Sequence, residues 1–337
     1  MDSASQFLLG AAVGVATLGR RTAPWKAALW GGIAGTAPDL DSFIDHGDAI
    51  AAMTLHRAES HALFWLTLCS PLLAALPAWL HGERAMFKRW WLAMWLALIT
   101  HPLLDAMTVY GTQLFLPFTN HPVGLGSVFI IDPMYTLPLL IGVMAVLAQR
   151  NDSGRKWNTV GLVLSTLYLV WGAAVQSHVE SVARASLPPS EQATARVLVT
   201  PSAFNSILWR VVVRRDGDYA EGFYSLFDRE RRVRFQRFPH DARLEAELKR
   251  AANAAHARMA AFTHGFYALK EDAGRVRLTD LRMGQEPYYT FAFHIAEREN
   301  GALMPVPAER VGSLGDVPKR LAWLWERLKG KDSPPPR

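Results

Sequence analysis

WWLAMWLALITHPLLDAMTV, residues 90–109, runs twenty residues through an apolar stretch and holds two ionisable side chains, His101 and Asp105. A helix of that length spans about 30 Å, the thickness of a hydrocarbon core. Ionisable groups at such depth are costly and persist where they are paired, bound to an ion or lining a polar cavity. The i, i+4 spacing puts both on one helical face, within reach of a single ion. The same pair would also serve as a structural hydrogen bond within a bundle.

Three further apolar segments, 61–80, 128–148 and 157–176, are also close to spanning length, and two shorter ones run over 6–19 and 25–38. Burying four such segments from roughly 120 residues inside a soluble protein is difficult. MDSASQ ahead of the first segment carries no basic residue, and Arg20 and Arg21 follow it, so it reads as a retained span rather than a cleaved signal. The expected fold is a membrane α-helical bundle of about 4–6 spans over residues 1–180. A soluble α+β domain over 190–330 and an unstructured tail, 331–337, follow it.

Charge orients the bundle. Arg20, Arg21 and Lys26, then Arg84, Lys88 and Arg89, then Arg150, Arg155 and Lys156 occupy alternate loops, whereas loops 39–60 and 110–127 together hold one basic residue, Arg57. The positive-inside rule puts the basic loops in the cytoplasm and the soluble domain outside the inner membrane. At that outer face fall Asp39, Asp41, His56, His61, His101, Asp105 and Asp132.

In APDLDSFIDH (37–46) an extended chain after Pro38 would turn the Asp39 and Asp41 carboxylates to one side as hard oxygen ligands, although paired acids also cap helices. In LHRAESHALF (55–64), His56 and His61 meet one ion if the first lies in a loop and the second in a first helical turn. Imidazole with carboxylate suits a divalent metal, zinc first, with manganese or iron as alternatives. Asp132 and Asp45 are candidate catalytic carboxylates, and Arg57 a candidate partner for an anionic substrate group or for Asp45, Asp48 or Glu59.

PDLD, HRAESHA, THPLLDAMTVYGTQLFLPF and IIDPMYTLPLL, in that order, closely resemble the YdjM-type inner-membrane proteins, described as membrane-bound metal-dependent hydrolases. The resemblance covers about residues 1–176 and implies a metal site of Asp39, Asp41, His56, His61, His101 and Asp105, with Asp132 close by. The family's second motif is nearer HRGxTHS. Here Ala58 replaces glycine, Glu59-Ser60 alters the hydroxyl pattern and Ala62 replaces serine. A more distant likeness to the zinc-dependent phospholipase C and P1 nuclease group points toward phosphoester cleavage. The expected activity is metal-activated hydrolysis of a phosphoester or ester in a lipid, lipid-linked or other anionic envelope substrate. The rival readings are a proton- or cation-coupled transporter, which would spread its ionisable groups through the bilayer depth, and a structural membrane protein with a non-catalytic metal site.

The net charge of +6 lies mostly in the inner loops and in scattered arginines, without a basic run interleaved with aromatics, so no nucleic-acid partner is expected. Membrane lipids are the expected partners. Cys69 is the one cysteine, which excludes an internal disulfide. Past the junction SLPPSEQA (186–193), strand patterns run through ARVLVT, SILWRVVVRRDG, YAEGFYSLFD and RRVRFQRF, a helix is expected over 241–270, and strands return at RVRLTDLRM and YYTFAFHIAER.

Overall fold

Asp2 accepts hydrogen bonds from the Ala4 and Ser5 amides and so starts α1 (Ser3–Leu18), while Pro24 opens α2 (Pro24–Thr36), where a missing N–H costs nothing. The two helices approach so closely that a Cβ on Gly10 would stand 2.2 Å from the Gly31 carbonyl oxygen, so only glycine fits there. A 3-10 turn, Ala37–Phe43, follows, then a short α3 (Ala49–Leu55) and a second 3-10 turn, Glu59–His61. Next come α4 (Leu63–Leu80), α5 (Phe87–Ala106), α6 (Pro133–Gln149) and α7 (Asp152–Ala185). The computed structural model describes residues 1–336 and divides into two units. One is Met1–Ile44 with Leu55–Ala173; the other is Asp45–Thr54 with the chain from Ala174 onward.

In the first unit α5 packs against α1, α2 and α4, and its Trp90, Met94 and Leu98 are buried in the core. Outward faces carry Leu72 (76% exposed), Leu167 and Val170, an apolar surface suited to lipid. Helices stand at all six expected positions, but among the described residues only α4 and α7 are long and apolar enough to cross a bilayer by length and composition, against the 4–6 expected. The apolar α1 and α6 have 16 and 17 residues, and α2 has 13. α5 has 20 residues, and Lys88, Arg89, His101 and Asp105 lower its hydropathy.

The second unit is β+α. β1 (Arg196–Pro201), β2 (Leu208–Arg214), β3 (Asp218–Ser225) and β4 (Gln236–Pro239) form one antiparallel sheet in that order. Trp209, Val211 and Val213 of this sheet bury against Val175, Val179 and Val182 of α7. Instead of one helix over 241–270, the chain makes α8 (Ala242–Arg250) and α9 (Ala254–Phe262). Ala252 takes a left-handed φ of 49°, and Asn253 caps α9 at the His256 amide, so the first helix cannot run on. β5 (Tyr267–Asp272) and β6 (Arg275–Asp280) follow, and β7 (Gly284–Gln285) and β8 (Tyr288–Tyr289) pair as a ribbon. β9 (Ala292–Glu299) and β10 (Ala302–Arg310) complete the second sheet, in the order β10-β9-β6-β5. α10 (Val317–Leu328), not anticipated from the sequence, closes the chain, and Asp316 caps it at the Lys319 amide.

Candidate metal centre

Four side chains converge in the first unit. Asp39 comes from the 3-10 turn after α2, His61 from the turn before α4, and His101 and Asp105 from the last two turns of α5. Their donor atoms all lie within 4.8 Å of one another. His61 Nε2 and His101 Nε2 are 3.0 Å apart. Asp39 Oδ1 is 3.4 Å from each of them, and Asp105 Oδ2 is 3.4 and 3.5 Å away. His61, His101 and Asp105 are fully buried.

The hydrogen-bond network assigns the imidazole protons. His101 Nδ1 lies 2.6 Å from the Gly35 carbonyl oxygen, which only accepts, so Nδ1 carries the hydrogen and, in the neutral ring, Nε2 the lone pair. Ser60 Oγ donates its one hydrogen to Asp41 Oδ2 at 2.5 Å and therefore accepts from His61 Nδ1 at 2.8 Å. In the neutral ring His61 Nε2 then carries the lone pair as well. Two imidazole lone pairs and two carboxylates aimed at one spot repel; the Met1 ammonium on Asp105 Oδ1 and Arg57 on Oδ2 offset part of this at Asp105, and a cation among the four donors would offset the rest. Asp105 Oδ2, buried, accepts no hydrogen bond and is met by Arg57 Nε as an ion pair at 3.1 Å. This donor set fits a divalent metal of the zinc, manganese or iron type.

Asp41 and His56, expected as ligands, lie beside this group rather than in it. The chain after Pro38 is a 3-10 turn, not extended, and residues two apart on such a turn diverge by about 120°. Asp39 therefore faces the two histidines, while Asp41 accepts from His56 Nδ1 at 2.7 Å, from the Arg57 amide at 3.0 Å and from Ser60. Burial works to raise the pKa of each acid. The His101 and His61 imidazoles outweigh it at Asp39, and His56 and Ser60 outweigh it at Asp41, so both carboxyls sit below their ordinary range. The altered hydroxyl pattern at Glu59-Ser60 leaves the needed hydroxyl in place, on Ser60.

Arg57 is buried at a left-handed φ of 66°, with Nε 3.1 Å from Asp105 Oδ2 as an ion pair and its guanidinium 4.7 Å from the Tyr110 ring centre. It thus partners the site's own acid, not Asp45, Asp48 or Glu59. Asp132 is not part of the cluster: it caps α6 at the Met134 amide and accepts from Tyr168 at 2.8 Å. Asp45 is exposed, belongs to the second unit and accepts from the Gly47 amide in its own turn. Sequence reasoning missed Gln6, buried on α1, whose Nε2 donates to Asp105 Oδ1 at 3.0 Å and to the His101 carbonyl at 3.1 Å. An amide opening an otherwise apolar segment was the available signal.

Helical membrane unit and converging donors define a membrane protein with a buried site suited to a divalent cation. The chain belongs to the family of the YdjM inner membrane protein, whose model matches residues 1–179. That membership, with the apolar helices, supports an inner-membrane location. The chain is also 28% identical over 180 residues to the uncharacterized protein YfhP of Bacillus subtilis (strain 168), a match that takes in 50% of this chain and 53% of that relative. It thus spans about half the length of this curated relative. No solved structure matches it.

Proposed function

We propose that the protein is a membrane-bound metal-dependent hydrolase. The observation that carries this reading is the convergence of four donors, two of them imidazoles with their Nδ1 atoms already engaged, on one buried spot. Asp39, His61, His101 and Asp105 would hold the ion, zinc before manganese or iron, which supplies Lewis acidity that lowers the pKa of water and polarises the electrophile. Asp41 fixes the hydrogen of His56 on Nδ1, which leaves Nε2 of this half-buried imidazole to take a proton. Arg57 keeps a fixed positive charge at the acids, suited to a phosphoryl or carboxylate group.

In this reading α1, α2, α4, α5, α6 and α7 all embed in the bilayer, with the basic loops in the cytoplasm and the site and soluble unit outside. Contacts among the basic loops favour it. Lys26 pairs with Glu83 at 2.8 Å and Arg20 with Asp152, so these loops share one end, while the site takes the ends of α2, α4 and α5 opposite them. A site at headgroup height suits a lipid, lipid-linked or other envelope-associated ester or phosphoester.

The test uses detergent-solubilised full-length protein, with bound metal measured in the native chain, Asp39→Ala and His101→Ala, each assayed on phosphomono- and phosphodiesters. Stoichiometric metal and turnover that both fall in folded variants are the expected result. A folded native chain that takes up no metal after reconstitution would overturn it.

A further inference from the structure

α10 has two opposed faces. On one, Trp323 and Arg327 anchor it to the second unit: the Trp323 ring meets Phe223 edge-on at 4.9 Å, and Arg327 donates to Asp228 at 2.5 and 2.6 Å and to the Phe223 carbonyl at 2.9 Å. At roughly 100° per residue, Val317, Leu321 and Trp325 lie on the opposite side. They are 43, 44 and 59% exposed, and Leu314, just before the helix, is 58% exposed. A Cβ on Gly330 would touch the Phe227 backbone, which brings the exposed Phe227 beside the end of the helix.

Such a stripe, opposite a firmly packed face, is not needed to hold the domain together. Its flanks are basic. Arg320 stands on one side, its guanidinium donating to the Leu314 carbonyl and lying 5.6 Å from the Tyr288 ring centre, and on the other Lys329 lies with its Nζ 4.7 Å from the Trp325 ring centre. Lys319 pairs with Asp316, and Glu326 with Lys329 and Lys331, so the acids nearby leave a cationic surplus. An apolar stripe about 100° wide, edged by basic residues and by a tryptophan with a cation over its ring, suits the boundary between anionic headgroups and acyl chains. The first unit already holds the chain in the bilayer, so this surface meets lipid at high effective concentration.

We propose that α10 is an interfacial membrane-binding helix that seats Val317, Leu321 and Trp325 among lipids and its flanking basic residues against anionic headgroups. The proposal does not depend on the hydrolase reading. A second copy of the chain would be a less suitable occupant, because the flanks of both copies are cationic.

The test uses full-length protein with Cys69→Ser, reconstituted into nanodiscs of phosphatidylcholine and phosphatidylglycerol. A single environment-sensitive label is placed at Leu321→Cys or Val317→Cys and, as control, at the exposed Lys319→Cys. All are exposed positions, and matching size-exclusion profiles check the fold. Lipid-borne quenchers are expected to quench the stripe labels several-fold more than the control, less so when phosphatidylglycerol is omitted, and aqueous iodide is expected to do the reverse. Stripe labels as open to iodide as the control would overturn the proposal. So would labels shielded from both quenchers, which would assign the stripe to a protein contact.

Discussion

Ser60 Oγ lies 2.5 Å from Asp41 Oδ2 and 2.8 Å from His61 Nδ1, so one hydroxyl sets the proton position of a buried imidazole whose other nitrogen faces the four-donor cluster. The second acid of PDLD thus governs the site without entering it. Ser60→Ala would leave His61 Nδ1 without its acceptor and free the ring to take the other tautomer. Metal affinity is expected to fall about 10–100-fold, with the fold retained, as read by titration of the metal-depleted protein. An affinity equal to that of the native chain would mean that Asp41, 3.6 Å from His61 Nδ1, holds the tautomer unaided.

Arg57 and Asp105 form a fully buried ion pair in which the Asp105 oxygen also belongs to the donor set. Removing one partner of a buried pair costs up to about 3–5 kcal/mol when the other charge is left alone. Here the Met1 ammonium stays on Asp105 Oδ1, so the unmet charge falls on Oδ2 and the loss lies toward the lower end of that range. Arg57→Met is therefore expected to lower thermal stability strongly in chelator and much less with zinc bound, because the ion then faces the same oxygen. Equal destabilisation in both conditions would show that Arg57 acts through packing on Tyr110 rather than through charge.

The i, i+4 pair on α5 was legible because a regular helix converts spacing directly into direction, and the turns before α4 and after α2 were legible as sources of ligands because polar groups there are costly. Direction within those turns was not. Asp39 and Asp41 separate because a 3-10 turn rather than an extended chain follows Pro38, and no local sequence rule distinguishes the two after a proline. Gln6 and Gly35 act through contacts nearly a hundred and more than sixty residues away along the chain, which a pattern of neighbours cannot reveal. In the second unit, β2 and β3 were visible from alternation and branched residues, while the break before Asn253 depended on one left-handed residue, Ala252.

The hairpin of α1 and α2 sets the height of the site. Gly31 permits the close approach to Gly10, and one turn later Gly35 offers the carbonyl that holds His101, just before Asp39. Gly31→Leu forces the backbones apart, an overpacking cost of about 1–3 kcal/mol or more. Because the His101 acceptor moves with the helix, metal affinity is expected to fall on the order of tenfold. Calorimetric titration of folded protein checks this, and unchanged affinity in a destabilised variant would separate the hairpin from the site.

The second unit carries its own acid sensitivity. Burial, with the Arg214 charge beside it, pushes the His240 pKa below its usual value, so the folded state holds this imidazole neutral. At Glu245 burial acts upward, but hydrogen bonds with Lys249, Tyr267 and His240 outweigh it and hold the carboxyl at about 2, against 4.5 unperturbed. Both shifts act in one direction. As pH falls below about 6.5, the unfolded chain takes the histidine proton before the folded one does, and stability drops. A second loss is expected below about 4.5, continuing as the pH approaches the folded value near 2. The Leu269 amide, bonded to His240 Nδ1 at 3.1 Å, reports the first phase through hydrogen exchange corrected for its intrinsic rate. Glu245→Gln is expected to flatten the lower phase and keep the upper. Protection at Leu269 that holds from pH 7 to 5 would show that His240 titrates alike in both states.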